Sequence, residues 1–324
     1  MKRILKQLII VLPVYEDRES LKQLLRDIAS LQMPFIKLLI VDDGSVRTPP
    51  HRIDLIDAGF AGEVIRLRCN VGHQMAIAMG LNHINRKFSG CPVLVMDADG
   101  EDRPDTIPKL IRCYEEGDAD IVVATRGNRF GSLMFRLCCR LYTVLFRLLT
   151  GRAIQFGNFA LLSSTAVRRL AEMPELPIHF AASVLSSRLR LAFVSVDRGH
   201  RYAGASKMDL MSLSAHGMRS MLIFSNVIFF RGGLSISFSL IACLVAILLA
   251  PNMTPASMAS LGWSLLTWGL LIITFLQATA LAFLSMMKLG FAGAARQGRR
   301  TLSANEMVEQ VESVQIVGAS ITSL

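Results

Sequence analysis

The sequence predicts an α/β domain on a mostly parallel sheet, supplemented by amphipathic helices and followed by two membrane-crossing helices. Three observations lead there. Short Val- and Ile-rich runs alternate with helical patterns through the first 125 residues. A stretch of 56 residues, Gly232 to Met287, carries no charged side chain. Charge is also unevenly placed: residues 1–120 hold 16 basic and 18 acidic side chains, residues 121–324 hold 19 and 7. Strands alternating with helices feed parallel pairing and leave both sheet faces covered. A composition of 52% apolar residues excludes disorder, and 19% charged residues falls short of what a wholly soluble chain carries.

The elements follow in order. The amino terminus, MKRILKQLIIVLPVYED, has an apolar run from Leu8 to Leu12 that is too short for a signal peptide and ends in Pro13 and acids. It reads as the first buried strand. Lys37–Val41, Val64–Leu67, Val93–Met96 and Ile121–Ala124 read as further strands, with helical patterns over Ser20–Leu31 and His73–Ile84. Gly131–Thr150 reads as an amphipathic helix on which Arg129, Arg136, Arg140 and Arg147 fall within about 40° of one another, a pattern suited to the membrane interface or to the surface of a soluble core. Met208–Phe230, with one acid (Asp209), is expected to lie along the membrane too. Pro251-Asn252-Met253-Thr254-Pro255 divides the uncharged stretch into spans near Gly233–Ala250 and Leu261–Met287. Arg231 on one flank, and Lys288, Arg296, Arg299 and Arg300 on the other, mark the cytoplasmic side, which places both termini inside. The expected organisation is therefore a catalytic-sized domain over 1–207 containing the 131–150 helix, a juxtamembrane helix over 208–231, a hairpin over 232–287 and a cytoplasmic tail over 288–324.

From Ile121 to Leu170 there are eight arginines and no acid. A basic, apolar half suits an anionic membrane surface or phosphate-bearing ligands. No helix-turn-helix, zinc-finger or RNA-binding signature is present, so nucleic acid is excluded as a partner. The six cysteines (Cys69, Cys91, Cys113, Cys138, Cys139, Cys243) show no metal-ligand spacing and read as reduced thiols.

Ligands of open parallel sheets bind beyond the carboxyl ends of the strands. Three polar clusters stand there: Tyr15-Glu16-Asp17, Asp42-Asp43-Gly44-Ser45 and Asp97-Ala98-Asp99. A tyrosine ring and a proline can pack a base and ribose, while the Asp42 and Asp43 carboxylates accept hydrogen bonds from base N–H groups or ribose hydroxyls. Asp97 and Asp99, with Glu101 and Asp102 nearby, offer the oxygen ligands by which Mg²⁺ or Mn²⁺ holds a diphosphate. No GxGxxG or GxxxxGK[ST] pattern occurs, which argues against a dinucleotide-binding enzyme or a P-loop NTPase.

With PVYED, VDDGS, NVGHQMAIAMGL (Asn70–Leu81), VMDADGEDRP (Val95–Pro104), ATRG (Ala124–Gly127), GNFALLS (Gly157–Ser163) and RYAGASKM (Arg201–Met208) in this order, the chain resembles family 2 glycosyltransferases of the GT-A fold. The nearest likeness is to the dolichol-phosphate-mannose synthase branch, including bacterial undecaprenyl-phosphate glycosyltransferases, over about residues 5–290. That resemblance implies that Pro13, Tyr15, Asp17, Val41 and Asp43 hold base and ribose. It implies that Asp97, Ala98 and Asp99 meet the diphosphate and metal, with Asp99 and Glu101 as ligands. Arg126, Arg201 and Lys207 would bind phosphates, as the planar guanidinium fork suits. Arg136 and Arg140 on the arginine-lined helix would, with Arg201 and Lys207, hold the acceptor phosphate. Asp97, Asp99, Arg201 and Lys207 form the expected catalytic set.

Two departures stand out. Glu101 occupies a position where glutamine is common, and Asn158 stands where many relatives carry an acid. A phosphate acceptor, largely ionised at pH 7 with a second pKa of about 6, needs no base. The expected activity is therefore inverting transfer from a UDP- or GDP-linked sugar to polyprenyl phosphate at the cytoplasmic leaflet of a bacterial inner membrane, by a multi-pass protein using Mg²⁺ or Mn²⁺. A glycolipid or polysaccharide acceptor, and a non-catalytic nucleotide-sugar-binding membrane protein, are the alternatives. Homo-oligomer formation stays open.

Overall fold

The structure is a computed structural model and describes residues 4–126, 133–203, 210–249, 259–301 and 307–315. Lys207, Arg129, the start of the amphipathic helix and the Pro251–Pro255 break lie outside the described residues, as do the side chains of Arg126 and Arg136. The chain forms two compact units: Met1–Thr143, Ile154–Ile223 and Leu302–Leu324 make the first, and Val144–Ala153 with Phe224–Thr301 the second.

The first unit is built on an eight-stranded sheet in the order β7-β5-β6-β4-β1-β2-β3-β8. Strands β1 (Leu8–Val14), β2 (Ile36–Asp42), β3 (Gly62–Leu67) and β4 (Val93–Val95) run parallel, as the alternating pattern predicts. β1 is apolar at every position and buried at every position, as a strand covered on both faces must be. Its even-numbered residues join the cluster formed with Leu21, Leu24 and Ile28 of α1 (Arg18–Ala29) and Leu110 of α4 (Ile107–Glu116). On the opposite face α3 (His73–Lys87) lies so close that a Cβ on Gly80 would come within 2.8 Å of Val11 and 3.1 Å of Val41. The short helix α2 (Arg52–Asp57) leads into β3.

The apolar runs do not disclose that the sheet is mixed. β6 (Phe156–Leu162) enters between β4 and β5 (Ile121–Arg126) and is antiparallel to both. β7 (Leu191–Val196) returns parallel to β5. Helices α6 (Ser164–Ala171) and α7 (Phe180–Ser186) follow β6 and accompany α3. The tail, which the sequence pattern left without a role, supplies β8 (Val308–Val314), antiparallel along the whole of β3. Helix α5 (Leu133–Thr150) crosses the boundary between units and exposes Leu137, Leu141, Val144, Leu145 and Leu148 as well as Arg140 and Arg147. Helix α8 (Leu210–Ile223) ends the middle segment of the first unit.

The second unit is a helical hairpin of α9 (Ser225–Leu249) and α10 (Ala259–Thr301). Gly232 packs against Leu281, and Gln277 donates to the Ser235 hydroxyl at 3.0 Å. Both helices contain segments long and apolar enough to cross a membrane, Ser225–Val245 and Leu266–Met286, whose side chains are mostly unburied within the structure.

Candidate active site

Because β1, β2 and β4 are parallel neighbours, their carboxyl ends deliver Tyr15, Asp43 and Asp97 to one edge of the sheet. There, Pro13, Val14, Tyr15, Asp43, Asn70, Gly72 and His73 line a cleft of about 160 Å³. Asp43 is 3% exposed. Its carboxylate accepts the Val71 N–H at 2.8 Å and the Gly72 N–H at 3.0 Å, fixing the turn that starts α3. Burial pushes the Asp43 carboxyl up, against those two donors and the nearby His73. The turn comes within touching distance of Gly44, whose φ is +73° and where a Cβ would lie 2.5 Å from the Cys69 carbonyl carbon. Only glycine fits that close approach. Glu16 ties the loops after β1 and β2 together: its carboxylate accepts N–H groups of Val46, Arg47 and Thr48, which hold its pKa down to about 2.

Asp42 and Val41 stand differently. Asp42 is fully buried, accepting from Ser45 N–H at 3.0 Å and from Arg66 Nε at 3.3 Å. Val41 packs under α3. Neither lines the cleft, so each can act on a ligand only by shaping the strand that carries Asp43.

The loop after β4 is held by its own acids. Asp102, 2% exposed, accepts the Asp97 N–H at 3.0 Å, and Asp99 Oδ1 accepts the Glu101 N–H at 3.0 Å. The segment after β7 closes over this loop. Tyr202 N–H donates to the Asp99 carbonyl and Gly199 N–H to that of Glu101, both at 2.9 Å. The Tyr202 ring covers Gly100, where a Cβ would sit 2.6 Å from the ring at a φ of +89°. This docking brings Arg201 to Asp99 Oδ2 at 3.3 Å and to Asp17 Oδ2 at 3.7 Å. Arg201 Nε is buried and has no hydrogen-bond partner among the described residues. Burial, then repulsion from Asp97, raises the Asp99 carboxyl above the usual range, with Arg201 opposing. Glu101 is ion-paired with Arg198. Arg140 stands exposed on α5, outside these ion pairs.

Three participants carried no assigned role in the sequence pattern. The β4–β6 register sets Val95 opposite Ala160, so the strand direction carries Asn158 to the level of Asp97. Asn158 Nδ2 lies 3.3 Å from Asp97 Oδ1 and 2.9 Å from His73 Nε2, while His73 Nε2 lies 3.0 Å from Asp97 Oδ1. Gln74 Nε2 donates to Asn158 Oδ1 at 3.2 Å. Burial alone would lower the His73 pKa, but Asp97, then Asp43 and Asp99, outweigh it and raise it. The motifs NVGHQMAIAMGL and GNFALLS contain these residues, but the sequence alone does not bring them together.

The chain is similar to known proteins in sequence and in fold. The description "Glycosyl transferase family 2" matches residues 9–161. The chain is 26% identical over 229 residues to a Synechocystis protein named Uncharacterized glycosyltransferase sll0501, covering 68% of this chain and 70% of that one. It is 29% identical over 223 residues to an undecaprenyl-phosphate 4-deoxy-4-formamido-L-arabinose transferase of Serratia proteamaculans, covering 64% and 65%. The chain thus spans about two thirds of the length of these relatives. Glucosyl-3-phosphoglycerate synthase from Mycobacterium tuberculosis, solved with Mn²⁺, UDP-glucose and phosphoglyceric acid, shares the fold at a TM-score of 0.51 with 18% identity, over 69% of this chain and 80% of that one. The first unit is therefore GT-A-like in fold, and residues 9–161 of the chain match glycosyl transferase family 2.

Proposed function

We propose that the chain transfers a sugar from a nucleotide-diphosphate sugar to a polyprenyl phosphate at the cytoplasmic face of a bacterial inner membrane. The observation that carries this reading is the ion pair of Asp99 and Arg201, set beside the cleft that Tyr15, Asp43 and His73 line. The undecaprenyl-phosphate transferase among the relatives and the two apolar helices support a lipid acceptor.

Tyr15 and Pro13 would flank the base, and the Asp43 oxygens keep lone pairs for base or ribose donors. Arg201, held by Asp99 and Asp17, turns its guanidinium toward the phosphates, with the buried Nε still to be satisfied. Lys207, Arg126, Arg136 and Arg140 are the further cations proposed for donor and acceptor phosphates. The acceptor phosphate oxygen attacks the anomeric carbon, and the bond to the diphosphate breaks with its electron pair leaving on the diphosphate. Configuration inverts. No proton has to be removed, because the phosphate monoester is already ionised. An amide at position 158 is compatible with that chemistry.

A divalent cation fits the donor set. Asp97, Asp99 and Glu101 crowd carboxylates together, and the upward shift at Asp99, set by burial and then by repulsion from Asp97, is one that a bound cation would oppose. Among the described residues no group of three ligands forms a closed cage, so Asp99 and Glu101 would hold the ion with donor phosphate completing its shell. When bound it would neutralise charge on the departing diphosphate.

The test uses purified full-length protein, undecaprenyl phosphate, Mg²⁺ or Mn²⁺ and a panel of labelled UDP- and GDP-sugars. A labelled, organic-extractable lipid is the expected product; no product from any donor overturns the reading. Asp99→Asn, which keeps an acceptor for the Glu101 N–H, should abolish turnover with the melting temperature kept.

A further inference from the structure

We propose that Gln74 and Asn158 form an amide relay, anchored on the α7 backbone, that positions the Asp97 carboxylate and the His73 ring at the cleft, and that this relay requires an amide rather than an acid at position 158. The inference rests on the sugar-transfer reading for its kinetic consequences, but the relay itself is a matter of geometry.

The orientation of the relay is fixed from one end. A backbone N–H can only donate, and the N–H of Phe180 donates to Gln74 Oε1. Gln74 is 8% exposed and does not line the cleft. With its oxygen committed, its Nε2 must face Asn158, and does so by donating to Asn158 Oδ1 at 3.2 Å. The Asn158 amide then has no choice of orientation: its Nδ2 donates to Asp97 Oδ1, 3.3 Å away, the same oxygen that His73 Nε2 meets at 3.0 Å. Amide orientations are set by such networks, and this one ends on an atom that cannot be turned round. Asn158 thus supplies a donor to the carboxylate on which His73 also bears. An aspartate would keep the shape, remove that donor and put a second negative charge against Asp97.

The relay also reaches outward. The residue before Phe180, His179, is 5% exposed and stacks on His216 of α8, with ring centroids 4.2 Å apart. His179 Nδ1 accepts the Ala182 N–H and starts α7. The Phe180 N–H is therefore held by a helix start that is itself clamped by α8. Asn158 and Gln74 are positioning residues: they act through Asp97 and His73.

The experiment compares four variants of the full-length protein in detergent: Asn158→Asp, Asn158→Ala, Gln74→Met and the double variant Gln74→Met/Asn158→Ala. Asn158→Asp should lower kcat by about tenfold or more with a smaller change in donor KM, since a misplaced group at a reacting centre costs chiefly in turnover. Gln74→Met, far from the ligand, should lower kcat in the parent but have no further effect once Asn158 is alanine, because nothing is left to orient. Equal losses in both backgrounds would make Gln74 merely structural and overturn the relay. Full or increased activity in Asn158→Asp would overturn it too, showing that an acid serves better there. A readout independent of turnover is the Asn158 side-chain amide signal in isotope-labelled protein, assigned by its loss in Asn158→Asp. It should be protected from exchange and should move in Gln74→Met. A solvent-like signal indifferent to Gln74 defeats the proposal whether or not the parent makes lipid-linked sugar. A parent without product but with a protected amide defeats the transfer reading alone.

Discussion

At the scale of single residues, the site is an exchange of charges in which each acid has a different fate. Asp42 and Asp102 are consumed by the fold, Asp43 is shared between fold and cleft, and Asp99 faces Arg201. Asp43→Ala should therefore do two things at once. It leaves the Val71 and Gly72 N–H groups without their acceptor, costing about 1–3 kcal/mol of stability, and it weakens binding of the nucleoside diphosphate. Thermal melting and calorimetry with UDP and GDP separate the two effects. Arg201→Lys should lose most of the activity while keeping the charge, because one ammonium cannot span Asp99 and Asp17 and still reach a phosphate; turnover at saturating donor measures it. His179 gives a pH prediction. Burial, then the charges of His216 and Arg219, push its pKa down to about 3. The unfolded chain takes up a proton near pH 6.5 and the native chain does not, so stability falls as the pH drops below 6.5 toward 3. His179→Asn retains a helix-start acceptor without the titration. It should lose about 1 kcal/mol less than the parent between pH 7.5 and 5.5, read from denaturant midpoints of the first unit.

At the scale of elements, the sequence disclosed strands by composition and concealed how they pair. The Val- and Ile-rich runs of β1 to β5 were legible because the middle of each strand is buried on both faces, which favours apolar residues there. β6 is mostly apolar but holds no Val or Ile, and nothing in FGNFALL says that it runs antiparallel between β4 and β5. Pairing direction is a long-range property, so the meeting of Asn158 with Asp97 was illegible even though both motifs were visible. β8, VEQVESV, sets its valines at every third position and so lacks the alternation of a half-buried strand, and seven residues that are mostly exposed give a weak pattern. The turn after β2 is similar: nothing in Asp43-Gly44 says what approaches it, and only the closeness of Cys69 shows why glycine is needed. Gly44→Ala should cost about 1–3 kcal/mol through its positive φ and backbone clash, and should raise donor KM, because the displaced turn before α3 carries Asn70 and Gly72.

At the scale of the whole molecule, charge is divided along the chain. Residues 1–120 have a net charge of −2 and residues 121–324 of +12. The hairpin turns out large apolar side chains such as Phe238, Trp268, Phe275 and Phe283. The full chain should accordingly resist extraction by alkaline carbonate and require detergent, as fractionation would show. Its activity should also depend on anionic lipid, weakening as salt rises past the range where a Debye length of about 8 Å screens the basic segment. Vesicles of neutral and anionic composition compared at two ionic strengths test this.

β8 pairs with β3, yet some 240 residues separate the two strands along the chain. A ribosome adding about 5–20 residues each second leaves the β3 border bare for on the order of ten to fifty seconds, through the emergence of both apolar helices. An uncovered strand border is a template for stray pairing. Nascent chains halted after Thr301 should therefore clump or recruit chaperones, and a messenger truncated there should yield insoluble material even though every cleft residue has already been translated.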